Sequence, residues 1–212
     1  MRRALLISLS LVLALGGWSA VGAEDGFYVI PAMRGNYAPV PMTGQTSPNG
    51  TGSDGDLQKG VAWPTPRFTD NNNGTVTDKL TGLIWMKNAN AFGKNDWQGA
   101  FMDAGNLQSG QAGLTDGSTP GDWRLPNLQE LQSLIDYRFS NPALPDTVGT
   151  GQWEQGNPFQ GVMPYLYWSS TTHELRTTTA WCMNFDAGIV TTYDKGTVWF
   201  GGCYVWPVRG GQ

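Results

Sequence analysis

The chain has 212 residues, with 13 basic and 17 acidic side chains and a formal net charge of -4 at pH 7. A protein that neutralises a nucleic-acid backbone needs clustered lysines and arginines, and here they are scattered. We therefore expect no nucleic-acid partner. The same shortage of positive charge argues against a basic patch for sulfated polysaccharides.

The first 23 residues have the pattern of a secretory signal peptide. Arg2 and Arg3 precede an apolar run from Ala4 to Leu15, and small residues then lead to Ala23. The apolar run is shorter than the roughly 20 residues that a membrane-spanning helix needs. We expect cleavage after Ala23 and a protein that is secreted or held at the cell envelope, in the periplasm or on the outer surface, with no transmembrane segment.

Residues 24–66 are rich in Pro, Gly, Ser, Thr and Asn, which favour turns and bury little apolar area. We interpret this stretch as an extended or loosely packed leader, in which Phe27–Ile30 could form one short strand that docks on the domain. Residues 67–212 then form a single domain, whose size suffices for a complete core.

Oxygen-bearing side chains alternate in residues 67–85, RFTDNNNGTVTDKLTGLIW, as they would in a calcium loop. Calcium loops of the helix-loop-helix kind place Gly at position six and a carboxylate at position twelve. Counted from Asp70, Gly74 falls at position five and Thr81 at position twelve. Asn73-Gly74 is instead a strong hairpin signal. We predict a three-stranded meander that turns at Asn73-Gly74 and Thr81-Gly82. Calcium binding is the alternative, and we expect no other cofactor.

Two helices are predicted next. The stretch NDWQGAFMDAGNLQ has apolar residues at helical spacing, with Asn95 or Asp96 as the N-cap. In PNLQELQSLIDYR, Asn127 is the N-cap and Glu130 completes a capping box. The apolar face of this second helix comprises Leu128, Leu131, Leu134 and Ile135.

The final third alternates short apolar runs with Gly and Asp turns, which predicts strands. The predicted strands are YLYWSSTT, TAWCMNF, GIVTTYD, GTVWFGG and CYVWPVR. Within AWCMNFD, one face carries Trp181, Met183 and Phe185, which we assign to the core. The other face carries Cys182, Asn184 and Asp186, and we expect it to be polar and available to a partner.

The chain has two cysteines, Cys182 and Cys203, and both lie in the exported part. In an oxidising compartment a disulfide is the default for such a pair. Their spacing fits no zinc or redox motif. We therefore predict a structural disulfide between them.

Four motifs occur in a characteristic order: FTDNNNGTVTDKLTGLIWMKNA, GDWRLPNLQELQSLIDY, YWSSTT followed by AW, and YVWPVRGG. Together they make residues 67–212 resemble the C-terminal domain of the Legionella collagen-like adhesin and its bacterial relatives. The resemblance implies an α+β domain with a C-type lectin-like fold, which is related to the formylglycine-generating-enzyme-like fold. In such a domain two helices flank small antiparallel sheets, and the N- and C-terminal strands pair.

The resemblance also implies binding, because the founding adhesin binds host polysaccharides and forms trimers. Collagen-like Gly-X-Y repeats are absent here, so homo-oligomer formation stays open. The Glu-Pro-Asn, Gln-Pro-Asp and Trp-Asn-Asp motifs of calcium-dependent lectins are absent as well. We therefore do not expect calcium-mediated chelation of a sugar.

No group of residues indicates catalysis. His173 is the only histidine, and a lone His in a polar loop is usually solvated rather than catalytic. The sequence has no GxSxG motif and no outstanding carboxylate pair for glycoside hydrolysis. We expect no enzymatic activity.

A ligand-binding face is predicted from the C-terminal strands and the loop before them, because flat rings with polar tips bind sugars or proteins at low entropic cost. The aromatic candidates are Trp153, Tyr193, Trp199, Phe200 and Tyr204. The polar candidates are His173, Arg176, Asn184, Asp186 and Asp194. Trp168, Trp181 and Trp206 are assigned to the core.

Three kinds of partner are compatible with this face. The first is a glycan or host molecule on another surface, bound by an adhesin-type module. The second is a set of varied protein ligands, if a retroelement diversifies the codons between His173 and Tyr204. The third is a neighbouring subunit, if the protein is a structural part of a surface assembly. We favour the first.

Overall fold

The computed structural model describes residues 40–196 and 202–210. The predicted signal peptide and the predicted strand Phe27–Ile30 lie outside these residues. In the described part the chain forms three short helices and nine strands. In chain order they are α1 (Asp54–Leu57), β1 (Phe68–Asp70), β2 (Thr75–Asp78), β3 (Ile84–Met86), β4 (Lys94–Asn95), α2 (Trp97–Gly105), α3 (Leu128–Ser133), β5 (Leu166–Thr172), β6 (Thr179–Asn184), β7 (Ile189–Asp194), β8 (Cys203–Tyr204) and β9 (Val208–Arg209).

The first sheet has the strand order β1-β2-β3-β9. The predicted meander is confirmed: β1 and β2 are antiparallel with Phe68 opposite Asp78, and β3 follows on the other side of β2. Strand β9 pairs with β3 through Trp85 and Val208, so strands from the start and the end of the domain meet as predicted. Gly74 turns the hairpin with φ +84, and a Cβ there would overlap the backbone of a neighbouring loop, so only Gly fits.

Two carboxylates of this meander form ion pairs with basic side chains of the protein itself. Asp78 forms an ion pair with Arg67 at 3.2 Å, and both side chains are fully buried. Asp70 forms an ion pair with Lys87 at 2.5 Å. Within residues 40–196 and 202–210, no group of three or more His, Cys, Asp or Glu side chains is arranged to hold a metal ion. The stretch is therefore a hairpin built on ion pairs.

The second sheet has the order β4-β8-β5-β6-β7, and both of its faces are covered. On one face Met183 and Phe185 pack into the larger core cluster with Leu131 of α3. On the other face Cys182 packs into a smaller cluster with Ala100 of α2. The expectation that Cys182 lies on a polar, available face is wrong, because α2 covers the small side chains on that side of β6.

The two predicted helices are confirmed. In α2 the carboxylate of Asp96 accepts a hydrogen bond from the Gly99 amide. In α3 the Asn127 side chain accepts from the Glu130 amide at 2.9 Å, and Glu130 accepts from the Asn127 amide at 2.7 Å, which is the predicted capping box. The second helix ends earlier than its apolar pattern suggests, at Ser133, while the apolar side chains beyond it still enter the core.

Residues 40–66 are attached to the domain by backbone hydrogen bonds. The Met42 amide donates to the Val61 carbonyl at 3.0 Å, which closes the segment on itself. The Tyr137 amide donates to the Thr43 carbonyl at 3.0 Å, which holds the segment against the domain. Within residues 40–66 only Gly55 is buried, so backbone hydrogen bonds rather than an apolar face attach the segment, and the loosely packed leader stays a prediction.

None of the helices in the described part of the chain has the length and apolar character needed to cross a membrane.

Candidate functional site

The hairpin between β5 and β6 ends in a turn that projects from the second sheet. The His173 amide donates to the Thr179 carbonyl at 3.1 Å and closes the turn. Residues 174–178 are exposed, and Leu175 at the tip retains 89% of its accessible surface. Two of the predicted site residues, His173 and Arg176, therefore lie at this open end of the sheet.

A ring pair forms the centre of this open end. The His173 imidazole stacks on the Trp181 indole with centroids 4.9 Å apart and an interplanar angle of 30°. Both side chains are half-buried. The His173 Nδ1 atom accepts a hydrogen bond from the Arg176 amide at 3.1 Å, which places the proton of the neutral ring on Nε2. The ring pair therefore offers a flat surface and an N–H donor.

Hydroxyl and carboxylate groups flank the ring pair. In the β6–β7 register, Thr192 lies opposite Trp181, and Asp194 lies opposite Thr179. The Asp194 carboxylate also accepts a hydrogen bond from the Gly196 amide at 2.9 Å. We call this group the hairpin-end site; its members are His173, Arg176, Thr179, Trp181, Thr192 and Asp194.

Thr179 and Thr192 are members that the sequence analysis does not single out, and Trp181 is a member that it assigns to the core. Its alternation with Met183 indicates a core position, yet it is only half-buried. The signals that point to its exposure are the polar turn two residues before it and the polar Thr192 across from it. The core assignment does hold for Trp168 and Trp206, which are fully buried.

Tyr193 lies elsewhere in the second sheet, because it pairs with Ala180, a member of the smaller core cluster. It is half-buried, and its ring packs edge-on against Trp168 with centroids 5.7 Å apart. Burial raises the pKa of Tyr193, and nearby groups including the Cys203 thiol raise it further. Tyr193 is therefore partly a packing residue and does not join the hairpin-end site.

Tyr204 belongs to a separate aromatic cluster near Lys94. Its ring packs against Tyr167 at 5.4 Å and edge-on against Tyr165 at 6.1 Å. The Lys94 ammonium lies 3.6 Å from the centroid of the Tyr165 ring and 5.5 Å from that of Tyr204. Because a cation of the protein itself sits against these rings, their faces are less open to a ligand than the sequence suggested.

Asn184 and Asp186 lie at the opposite end of β6 from the hairpin-end site. The Asn184 side chain accepts a hydrogen bond from the Asp186 amide at 2.8 Å within the β6–β7 turn. A strand rises about 3.3 Å per residue, so the length of β6 separates this turn from Thr179 by roughly 17 Å. The structure therefore does not bring these two predicted residues together with His173.

Trp153 is not the exposed aromatic residue that the sequence suggested. It is half-buried against the larger core cluster, and its Nε1 donates to the Phe159 carbonyl at 3.1 Å. Two further predicted candidates, Trp199 and Phe200, lie outside the described residues.

The two cysteines meet in the interior. Both are fully buried free thiols, and their Sγ atoms are 3.6 Å apart, compared with about 2.05 Å in a disulfide. Strand β5 lies between β6 and β8, so the two cysteines approach each other from strands that are not direct neighbours. The predicted bond stays a prediction. Burial, together with the neighbouring Cys203, raises the pKa of the Cys182 thiol, which makes it a poor nucleophile.

Comparison with known proteins identifies the family. No curated protein matches the chain. The family model of the Lcl C-terminal domain matches residues 74–209, which run from the first hairpin to β9 and include the hairpin-end site. Because this match covers more than half of the chain, the protein belongs to the Lcl C-terminal domain family, as its four motifs indicated.

Proposed function

We propose that the protein is an exported, non-enzymatic binding module of the adhesin type, and that it recognises glycans through the hairpin-end site. The observation that carries the proposal is the half-buried stack of His173 on Trp181, beside the exposed turn between β5 and β6. The resemblance to the Legionella collagen-like adhesin supports the same class of function.

The chemistry of the hairpin-end site suits a saccharide. The C–H face of a sugar ring packs on a flat aromatic surface, and its hydroxyls both donate and accept hydrogen bonds. The Asp194 carboxylate and the Thr179 and Thr192 hydroxyls are close enough along the strands to supply such partners. No calcium ion is needed for this mode of binding.

Two features support a binding role rather than catalysis. The Nδ1 atom of His173 already accepts a backbone hydrogen bond, so this nitrogen is not free to act as a base. The Cys182 thiol is buried beneath the sheet and has a raised pKa, which opposes formation of the thiolate.

The C-type lectin-like fold is the architecture we propose for the domain. Three arrangements support it: strands from the start and the end of the domain pair in the first sheet, two capped helices pack on the sheets, and a projecting hairpin extends the second sheet. A fold of this kind presents its ligand site on a loop-rich face, and the hairpin-end site includes the exposed turn between β5 and β6.

A glycan array tests the proposed function. The exported chain, residues 24–212, is applied alongside the variants Trp181→Ala, His173→Ala and Thr177→Ala, and the unfolding midpoint of each is recorded. We expect saccharide signals that fall at least about fivefold in Trp181→Ala, since truncating a central aromatic contact costs more than about 1 kcal/mol. Thr177 is exposed in the same turn outside the ring pair, so its variant serves as the matched control.

Two outcomes contradict the proposal. If the folded protein gives no signal on the array, glycan recognition is rejected. Protein ligands are then favoured, either varied by codon diversification or fixed in a surface assembly. Equal loss of signal in Trp181→Ala and Thr177→Ala, with unchanged unfolding midpoints, removes the hairpin-end site as the place of binding.

A further inference from the structure

A polar groove lies where residues 45–49 meet the chain that follows α3. Its volume is about 410 Å³, within the range of roughly 300–1,000 Å³ that small-molecule sites occupy. We call it the leader groove. The lining residues that matter below are Gln45, Asn49, Tyr137, Arg138, Phe139 and Thr150.

One wall of the leader groove is held rigidly against the domain. Gly44 has φ +91, and a Cβ at this position would overlap the carboxylate of Asp136. The backbone therefore approaches this buried acid as closely as only Gly permits. The Tyr137 amide, which donates to Thr43 at 3.0 Å, ties the same wall to the domain. A ligand would meet a groove that is already formed, which lowers the entropic cost of binding.

The charge in the leader groove is already neutralised. The Arg138 guanidinium pairs with Asp136 at 2.6 Å and donates to the carbonyls of Gly149 at 2.8 Å and Thr150 at 3.2 Å. An anionic ligand would have to compete with these partners. The groove is therefore suited to a neutral ligand.

The free groups of the leader groove match a polyol. Within the described part of the chain, the side-chain amides of Gln45 and Asn49 make no hydrogen bond, while their backbone amides donate to Thr43 Oγ1 at 3.2 Å and to Ser53 Oγ at 3.3 Å, respectively. Each side-chain amide offers both donors and an acceptor, as vicinal hydroxyls require. The Tyr137 ring, 38% exposed, supplies an apolar face for sugar C–H groups, whereas the Phe139 ring already has the Arg138 guanidinium 5.0 Å from its centroid and is less open to a ligand.

We propose that the leader groove is a second binding site, which takes a neutral saccharide independently of the hairpin-end site. The inference goes beyond the proposed function, because half of this site comes from residues 45–49, which precede the part of the chain that the family model matches. Its ligand chemistry is that of one or a few neutral sugar units, recognised by amides and an aromatic ring without a metal ion.

Nuclear magnetic resonance of the isotope-labelled exported chain tests the inference. The probes are methyl α-D-mannopyranoside, methyl β-D-galactopyranoside and methyl N-acetyl-β-D-glucosaminide, with methyl β-D-glucuronide and inorganic sulfate as anionic comparisons. We expect at least one neutral glycoside to shift the side-chain amide signals of Gln45 and Asn49 in a saturable way. In Gln45→Ala/Asn49→Ala we expect affinity to fall about tenfold or more, because two hydrogen bonds are lost.

Two further variants make the result specific. Gln98→Ala removes an exposed amide from α2, away from the leader groove, and should bind as the unchanged chain does. Trp181→Ala, which disables the hairpin-end site, should leave these shifts in place. The inference is overturned if no neutral glycoside shifts the two amides, if the double variant binds normally, if an anion binds better than every neutral probe, or if Trp181→Ala abolishes the shifts.

Discussion

Arg67 and Asp78 form an ion pair whose two side chains are fully buried. Asp78 also accepts hydrogen bonds from the Leu80 amide and the Thr81 hydroxyl, so its carboxylate organises the turn between β2 and β3. Loss of one member leaves the other charge unpaired in the interior. Such a loss typically costs about 3–5 kcal/mol, whereas the loss of a partly exposed pair costs about 1 kcal/mol or less.

We therefore expect Asp78→Asn to lower the free energy of unfolding by about 3–5 kcal/mol in urea denaturation. Asp70→Asn is the matched control: its ion pair with Lys87 belongs to the same meander, and the Asp70 side chain keeps 30% of its accessible surface. Its loss should stay near or below about 1 kcal/mol. Equal losses in the two variants would show that burial of the Arg67 pair does not govern the stability of the meander.

Single tryptophans illustrate the limit of assigning burial from residue type. Trp168 and Trp206 are fully buried as predicted. Trp181, which the sequence analysis assigns to the core, and Trp153, which it predicts to be exposed, are both half-buried. An aromatic residue in a strand can face a helix or solvent with the same local pattern. Whether it does depends on which distant segment packs against that part of the strand.

The short helix α3 depends on its capping box. It contacts β5 and β6, and its Leu131 packs into the larger core cluster beneath Met183. A helix of this length has few internal hydrogen bonds. Hydrogen bonds to the free amides of its first turn are therefore a large share of those that stabilise it. We therefore expect the cap to stabilise the packing beneath the strands that carry the hairpin-end site.

Asn127→Ala removes the cap and should lower the free energy of unfolding by about 1 kcal/mol, within a range of roughly 0.5–2 kcal/mol. Asn106→Ala provides the same chemical change at the C-terminal end of α2, where the side chain is exposed and makes no hydrogen bond within the described residues. We expect it to change stability by less than about 0.5 kcal/mol. A result in which Asn106→Ala is the more damaging variant would contradict the role of the capping box.

Strands and helices of this chain follow from short-range signals where such signals exist. Asn73-Gly74 predicts the first hairpin, and the Asn127 and Glu130 pair predicts the start of α3, because each acts over three or four residues. The end of α3 does not follow from such a signal. Its apolar spacing continues past Ser133, but the helix ends there. The apolar residues that follow still pack in the larger core cluster.

The docking of residues 40–66 on the domain shapes one of the two candidate binding sites. At Gly44 this segment lies so close to the buried Asp136 that a Cβ would overlap its carboxylate. Trp63 adds a second attachment, since its Nε1 donates to the Met42 carbonyl at 2.9 Å and its ring lies 4.3 Å from the Arg67 guanidinium. Loosening the segment should therefore disturb the leader groove and leave the second sheet intact.

Gly44→Ala tests this attachment. Gly52→Ala is the control, because Gly52 has a similar φ of +83 but no atom within 4 Å of the place that a Cβ would occupy. Both variants carry the strain of a left-handed backbone, about 1–2 kcal/mol, and only Gly44→Ala adds a clash. We expect faster hydrogen exchange of the Tyr137 amide in Gly44→Ala than in Gly52→Ala. Equal exchange rates would show that the contact with Asp136 does not hold the segment.

The amino-acid order alone was enough for the family, the meander, the two capped helices and strands β5, β6 and β7, since each rests on motifs or spacings within a short stretch. The predicted strand GTVWFGG lies mostly outside the described residues, and CYVWPVR forms two short strands, β8 and β9, in different sheets. Long-range packing decided the rest: that α2 buries Cys182, that Trp181 stays half-open beside His173, and that residues 40–66 close the leader groove. The physical reason is that exposure is a property of pairs of segments. A side chain is buried or open according to which distant part of the chain covers it, and local periodicity carries no record of that partner.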